Sequence, residues 1–444
     1  MKEKIQLSDH FGYKRLIKFV IPSVIMMIFT SIYGVVDGLC VSNYVGKTAL
    51  AAINLIYPVL MICGGFGFML GTGGTATVAK TMGMGDKKRA NEYFSFITLI
   101  TVICGVVLAA VCIIFARPLS IMLGAKGEML DYAVKYLCIV IAALPFYMLQ
   151  NSFQNFFITA EKPKIGMWVT VAAGVTNMVL DVLFIAVLGW GLEGAALATG
   201  ISQIVGGGIP LWYFSVKNTS TLRFCKTRAY WRVLLHTCYN GSSELLGNVS
   251  ASVVAILYNA QLLHYAGENG VAAYGAIMYV AFIFVAIFIG FVIGSAPIVS
   301  FHYGAGNTDE LKSLRKKSLN IVFITGAVMV GVAVLLAVPL CKIFVGYDAE
   351  LYEITLRGFL IYSLSYIIAG YNIFGSSFFT ALNNGGVSAV ISFLRTCVFQ
   401  VGAVLILPLF FQLDGIWLSI IFAELASAAV TTAFLAAKRK RYGY

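Results

Sequence analysis

The sequence predicts an all-α polytopic membrane protein, with twelve transmembrane helices in two six-helix lobes related by a pseudo-twofold axis along the membrane normal. Three observations carry that expectation. The 444-residue chain is 60% hydrophobic and only 11% charged, where a soluble chain would carry about a quarter charged residues. Apolar stretches recur end to end, each near the roughly 20 residues that cross a bilayer as helix. They are too long, and too poor in period-two alternation, for barrel strands, and lipid leaves no other way to satisfy the backbone. Lastly, the second half repeats the first at a constant offset.

Taken in order, the predicted spans are roughly 16–41, 49–77, 93–115, 132–159, 165–188 and 195–216, then 233–265, 271–300, 319–345, 352–380, 387–411 and 415–437. The first follows a basic stretch and runs past Pro22 without a small-residue cleavage site, so it reads as a membrane helix and not as a signal peptide. The second carries "CGGFGFMLGTGGTA", whose glycines suit close helix packing; with no GK[ST] it is not a phosphate loop. "GMGDKKRANE" closes the second span and opens the third, and "FITAEKPK" separates the fourth from the fifth. The basic stretch 217–232 reads as a cytoplasmic linker. It divides an N-terminal lobe, residues 1–216, from a C-terminal lobe, residues 233–444.

At an offset of 221 residues, Tyr44, Gly46, Ala51 and Ala52 meet Tyr265, Gly267, Ala272 and Ala273. The same register pairs Gly83 with Gly304, Gly85 with Gly306, Asn151 with Asn372, Thr159 with Thr380, and Gly194 with Gly415. Six spans is an even number, so both halves start from the same face, and the axis relating them lies along the membrane normal. Paired lobes around a midplane cavity suit alternating access better than a channel or an enzyme.

The net charge of +12 invites a nucleic-acid reading, but its distribution is that of a topology signal. Lys14, Arg15 and Lys18, Lys87, Lys88 and Arg89, the linker, Lys312 to Lys317 and Lys438 to Arg441 all fall on one side; the other keeps few basic residues. Positive-inside asymmetry then places both termini in the cytoplasm of a cell (inner or plasma) membrane. The nine cysteines lack CxxC spacing and sit mostly in apolar segments, as small core residues. His236, His264 and His302 are scattered near helix ends, with no nucleophile–base pair.

The informative residues are the ionisable ones within spans. Asp37 lies far from any loop and cannot snorkel; with Ser23, Met26, Thr30 and Tyr33 it falls near one helix face. A charge facing lipid costs at least about 2.5 kcal/mol, so that stripe is expected to face protein or a water-filled cavity. Intramembrane carboxylates commonly mark ion or proton paths, although Asp37 could also serve only to pin two helices. Asn177 and Asp181 stand four apart in the fifth span, Gln150, Asn151, Gln154 and Asn155 share the fourth, and the sixth carries Thr199 and Gln203. Two carboxylates with amide and hydroxyl oxygens can hold a hard monovalent cation or share a proton. Asp37 and Asp181 fall in the outer half of the bilayer and Asn151 lower, so one site would require a bent helix. At the 221 offset the second half has Tyr258, Val398 and Gly402 in place of Asp37, Asn177 and Asp181. It carries instead Glu244, Asn248 and Ser252 on its first helix, with Arg395 and Glu424 later. Glu244 could take a cationic substrate or a proton, or pair with Arg395. Pro22 removes one backbone hydrogen bond and offers a hinge.

The whole chain resembles the multidrug and toxic compound extrusion (MATE) family of cation-coupled efflux transporters. The resemblance is carried by "IPSVIMMIFTSIYGVVDGLCVSNYVG", "TNMVLDVLFI…GLEGAALATGISQ", "FITAEKPK" and "GMGDKKRANE", echoed by "FFTALNNGG" and "GAGNTDELKS". It implies two lobes around a cavity that opens alternately to each side. It also implies export of amphipathic, often cationic compounds against H⁺ or Na⁺, with no other cofactor. By position it implies a cation site of Asp37, Asn177, Asp181 and Thr199 with Asn151 beside it, possible Na⁺ falling at Asp37, Asn177 and Asp181, and weaker roles for Tyr136 and Gln154; Tyr33, from the helix-face reading, is a further candidate for substrate or coupling. It resembles the subgroup with an acid in the first helix. Another subgroup couples through acids deeper in the second lobe, where this chain has Asn372 instead. The partners implied are amphipathic small molecules and membrane lipid, with no nucleic acid and no obligate protein partner. A lipid-linked-oligosaccharide flippase of the wider superfamily is the rival reading, and would require a strongly cationic cavity.

Overall fold

The computed structural model of the chain describes residues 5–45 and 47–444, and within them all side chains but those of Leu39, Ser42, Asn43, Lys47 and Leu50. Gly46, one member of a repeat pair, and the first four residues of the predicted N-terminal lobe lie outside the described residues. The order is α1 (Tyr13–Tyr44), α2 (Lys47–Gly83), α3 (Lys87–Ile114), α4 (Ala116–Met122), α5 (Glu128–Ala142), α6 (Leu144–Thr159), α7 (Pro163–Asp181) and α8 (Gly191–Ser215). It continues with α9 (Trp231–Gly304), α10 (Thr308–Val345), α11 (Ala349–Ser363), α12 (Tyr366–Ala381), α13 (Gly385–Phe393), α14 (Val401–Ile406) and α15 (Pro408–Tyr442). Wider π-helical turns, Val182–Val187 and Leu394–Gln400, extend α7 and α13.

Among the described residues, nine helices are long and apolar enough to cross a membrane. The pairs α5–α6 and α11–α12, bent by 53° and 49°, supply one span each. The 74-residue α9 supplies two, because Gly267 breaks it with φ +60° and the rings of Tyr258 and Tyr274 stack 5.1 Å apart across the turn. The total is twelve. The sequence reading treated residues 132–159 and 352–380 as single spans; both are broken, at Ala143 and at Leu364. Those breaks are again 221 residues apart. Pro145, in the first turn of α6, accounts for the first; the second has no proline.

The repeat extends to fine detail. Gly85 and Gly306 both adopt positive φ, which glycine reaches without a Cβ penalty. The next residues, Asp86 and Asn307, cap α3 and α10 by accepting the backbone N–H of Arg89 and Glu310. Two residues before each turn a glycine closes the seam between halves. A Cβ on Gly83 would stand 2.0 Å from the carbonyl oxygen of Phe301, and one on Gly304 would stand 2.0 Å from that of Lys80. Phe301 is Lys80 moved by 221, so the contact is reciprocal, as a twofold axis requires.

The buried apolar side chains form two cores. One runs from Val41 to Leu222; the other gathers Val254 to Tyr444 together with Leu7, Phe11, Leu16, Phe19, Val20, Met26 and Met27. The first half of α1 thus packs on the second lobe, where Gly290 and Gly294 admit Val24 and Val20. Its second half also meets the first lobe, where Gly174 faces Phe29 and Tyr33, while Ser31 still donates to the carbonyl of Phe282 in the second. The face predicted from Ser23 to Asp37 is therefore shared between lobes, because α1 crosses the seam. α1 runs through Pro22 unbroken. Residues 216–230, between α8 and α9, are tied along α3: the N–H groups of Arg223 and Cys225 donate to Asn91 and Ser95, and Thr227 donates to the carbonyl of Glu92.

Candidate functional site

The first lobe collects its polar residues in one place. Asp181 ends α7 immediately before the π-turn and is fully buried, with Asn177 one turn earlier. Opposite stands Asp37, whose carboxyl group lies close to that of Asp181. α8 adds Thr199 and Gln203. The bend at Ala143 brings Tyr136 of α5 in beside Thr199 and both carboxylates. Asn151 lies on the far side of the bend, in α6. Tyr33, one helical turn from Asp37, lies near the neighbouring Gln150, and Tyr147 lies near Asn151. The bend that the depth of Asn151 required is present between α5 and α6. The amide of Gln154 donates to Thr170 of α7 at 3.5 Å.

The hydrogen-bond ledger of this cluster does not close. Buried polar groups are nearly always paired, yet Asp37 Oδ1, both oxygens of Asp181, Asn177 Oδ1, Thr199 Oγ1 and Gln203 Oε1 have no hydrogen-bonding protein partner, nor has Asn151 Nδ2. Six of those seven atoms are oxygens. No basic side chain pairs with either carboxylate among the described residues. Such a set of hard acceptors around two adjacent acids can take a proton or a small hard cation. No cluster of three His, Cys, Asp or Glu occurs among the described residues, so a bound Na⁺ would rely on amide and hydroxyl oxygens as well.

In the second lobe, Glu244 of α9 is half-buried and its carboxylate has no partner among the described residues. Asn248 donates to the backbone oxygen of Glu244, not to its carboxylate, and packs near Gly65 of α2 across the seam. Arg395 does not pair with Glu244. It donates from Nε and Nη2 to Oε1 of Glu424, at 2.9 and 2.6 Å.

Sequence reasoning missed Tyr57 and Tyr147, which stand with Tyr33 around Asp37. Tyrosines are frequent here, so composition gave no signal. It also missed the partner of Glu424, although the 221 register places Glu424 over Gln203, beside the matched Asn151 and Asn372. An apolar cavity of about 180 Å³ opens between α1, the second half of α9 and α10, lined by Val20, Val24, Phe288 and Phe291 among others, and includes none of these polar residues.

The family model MatE matches residues 22–183 and again 245–406. The chain is similar to the multidrug export protein MepA of Staphylococcus haemolyticus strain JCSC1435, 23% identical over 430 residues, covering 97% of this chain and 94% of that one. MepA of Staphylococcus aureus strain MSSA476 is also 23% identical, over 93% of this chain and 91% of its own. Among solved structures, a MATE protein in complex with MaL6 superposes over the full length of both chains with TM-score 0.94 at 23% identity. A structure described as the outward-facing conformation of a multidrug resistance MATE family transporter gives 0.93 over 100% of this chain and 99% of that one, also at 23% identity.

Proposed function

The chain belongs to the MatE family, and from that premise we propose that it is a multidrug exporter working as an antiporter. It carries amphipathic, often cationic compounds out across a cell membrane by alternating access, driven by influx of H⁺ or Na⁺. The observation that supports the coupling site best is the interacting pair Asp37 and Asp181 with their unpartnered oxygens. Two facing carboxylates repel when both are ionised. A proton or cation bound between them removes that repulsion and draws in the oxygens of Asn177, Thr199 and Gln203. Coupling then requires the ion and the drug to favour different states of the transporter, since a ligand with equal affinity for both shifts nothing.

Asp37 is placed to convey the change, because α1 holds the first lobe through Tyr33 and the second through Val20 and Val24. Occupancy at Asp37 biases one helix that both lobes grip. Glu244, half-buried and uncompensated, serves the positive charge of a cationic substrate. The asymmetry of loop charge supports an orientation with the termini, and the tight seam at Gly83 and Gly304, on the cytoplasmic side. The flippase reading calls for free cationic groups inside the membrane; the one basic residue deep in a predicted span, Arg395, is engaged by Glu424.

Reconstitution in liposomes with a fluorescent cationic dye, under an imposed Na⁺ or pH gradient, tests the reading. Dye moves under one gradient with wild-type protein and fails to move with Asp37→Asn. Transport by the variant at the wild-type rate would remove Asp37 from coupling.

A further inference from the structure

The second lobe carries a polar cluster at part of the register of the first-lobe site, and that cluster is filled by protein. At the 221 offset, Asn372 of α12 corresponds to Asn151, Glu424 of α15 to Gln203, and Tyr258 of α9 to Asp37. The polar cluster is again drawn from the first, fourth, fifth and sixth spans of its lobe. Its carboxylate and its amide, however, are hydrogen-bonded on both sides. Oε1 of Glu424 accepts twice from Arg395, Oε2 accepts from Asn372 Nδ2 at 2.6 Å, and Asn372 Oδ1 accepts from Thr431 at 3.1 Å. Tyr258 pairs with Ser419 at 2.5 Å. Asn151 Nδ2 and Gln203 Oε1, the first-lobe counterparts, are both unpartnered. Glu424 is 2% exposed, and its guanidinium partner sits in the π-turn Leu394–Gln400, a local widening that often marks functional positions.

We propose that Arg395 is a tethered cation standing where the mobile coupling ion would bind in the other lobe. It keeps Glu424 permanently compensated and confines ion coupling to the first lobe, so it sets how many ions drive each export event. This rests on the antiport reading above. The physical basis is that a buried carboxylate must be neutralised by something. Where an arginine does so covalently, solution ions have nothing to bind. Where none does, as at Asp37 and Asp181, a solution ion must. Besides Arg395, the titratable groups near Glu424 are the phenols Tyr258 and Tyr362, and neither supplies a cation.

The test is an infrared titration of protonated carboxyl groups in the purified full-length protein, comparing wild type with Arg395→Gln, Arg395→Lys and Arg395→Gln/Glu424→Gln. Arg395→Gln should show one more titrating carboxyl than wild type. The extra signal should vanish in the double variant, and Arg395→Lys should match wild type. The proposal is overturned if Arg395→Gln adds no signal, or if Glu424→Gln alone removes a signal that wild type shows. Should Arg395→Gln fail to fold, Arg395→Met/Glu424→Gln, which leaves no buried charge, carries the test. It should move dye with the wild-type number of ions per dye, and a changed ratio or lost transport would overturn the proposal. Failure of the antiport reading looks different: Asp37→Asn would transport normally while the carboxyl count at Glu424 stood as expected.

Discussion

Gly83 lies so close to Phe301 that a single added methyl would sit 2.0 Å from its carbonyl oxygen, and Gly304 meets Lys80 at the same distance. Each glycine is the other's mate under the 221-residue repeat, so one sequence motif, G-x-G-[D/N], supplies both the seam and the turn beyond it. Its first glycine lets two backbones touch and its second takes the positive φ. Gly83→Ala or Gly304→Ala should therefore force the seam apart. Overpacking of this kind costs about 1–3 kcal/mol, charged against the closed state alone. Thermal unfolding should fall modestly, while accessibility of α2 and α9 at this seam, followed by amide hydrogen exchange, should rise. An unchanged exchange pattern around residues 76–83 would mean that the seam yields without opening.

The N-terminal segment reinforces the same closure. The N–H of Leu7 donates to Glu161, between α6 and α7, and the N–H of Phe11 donates to Glu310 at the start of α10. Lys317 returns a bond to the carbonyl of Phe11, and both apolar side chains are fully buried. The stretch from Leu7 to Phe11 thus ties a loop of one lobe to a helix of the other. Glu310→Ala leaves the Phe11 N–H buried without a partner, at about 1–3 kcal/mol. Exchange across residues 5–13 should accelerate roughly tenfold or more, and the form open at this seam should gain population. If only local fraying follows, with no faster exchange at residues 298–304 of α9, the segment covers the seam without latching it.

Ion binding at Asp37 and Asp181 should be visible without any transported drug. A ligand that binds only the folded state stabilises it by RT ln(1 + [L]/Kd), about 2.7 kcal/mol at a hundredfold excess over Kd. The coupling ion, whether Na⁺ added against choline or protons added by acidification, should raise the Tm of wild type. Asp37→Asn should start from a higher Tm in the absence of that ion, because the repulsion is gone, and should respond little to it. A variant that still gains the full stabilisation would place the ion elsewhere.

Much of this architecture was legible in the chain, for physical reasons that can be traced. Span number follows from hydropathy, since lipid admits few backbone solutions. Lobe symmetry followed from the fixed offset, and it extends to Asp86 and Asn307 as matched caps. The site was legible through Asp37 and Asp181, because a carboxylate in an apolar run has few reasons to be there. What could not be read was geometry that side-chain type does not encode. Nothing at Leu364 signals a 49° bend. α1 packs on both lobes because glycines on its partners, 290 and 294 on one side and 174 on the other, open room for it. The sequence leaves a pairing of Arg395 with Glu244 open and does not point to Glu424, because it gives a helix face and not which side chains meet across helices.

Glu244 offers the sharpest separation of substrate binding from coupling. Its carboxylate is half-buried and has no partner among the described residues, so its charge is available to a cationic substrate. A charged hydrogen bond or contact of this kind contributes about 1.5–3 kcal/mol, which corresponds to roughly ten- to a hundredfold in affinity. Glu244→Gln keeps the shape and removes the charge. Half-saturation for a permanently cationic dye should rise at least about tenfold, while a neutral amphiphile of similar size should be handled as by wild type. Ion-induced stabilisation at Asp37 and Asp181 should survive, since no described contact joins the two regions. Equal losses for charged and neutral substrates, with the ion response gone, would assign Glu244 to coupling instead; equal losses with that response intact would make it a packing residue of the cavity wall.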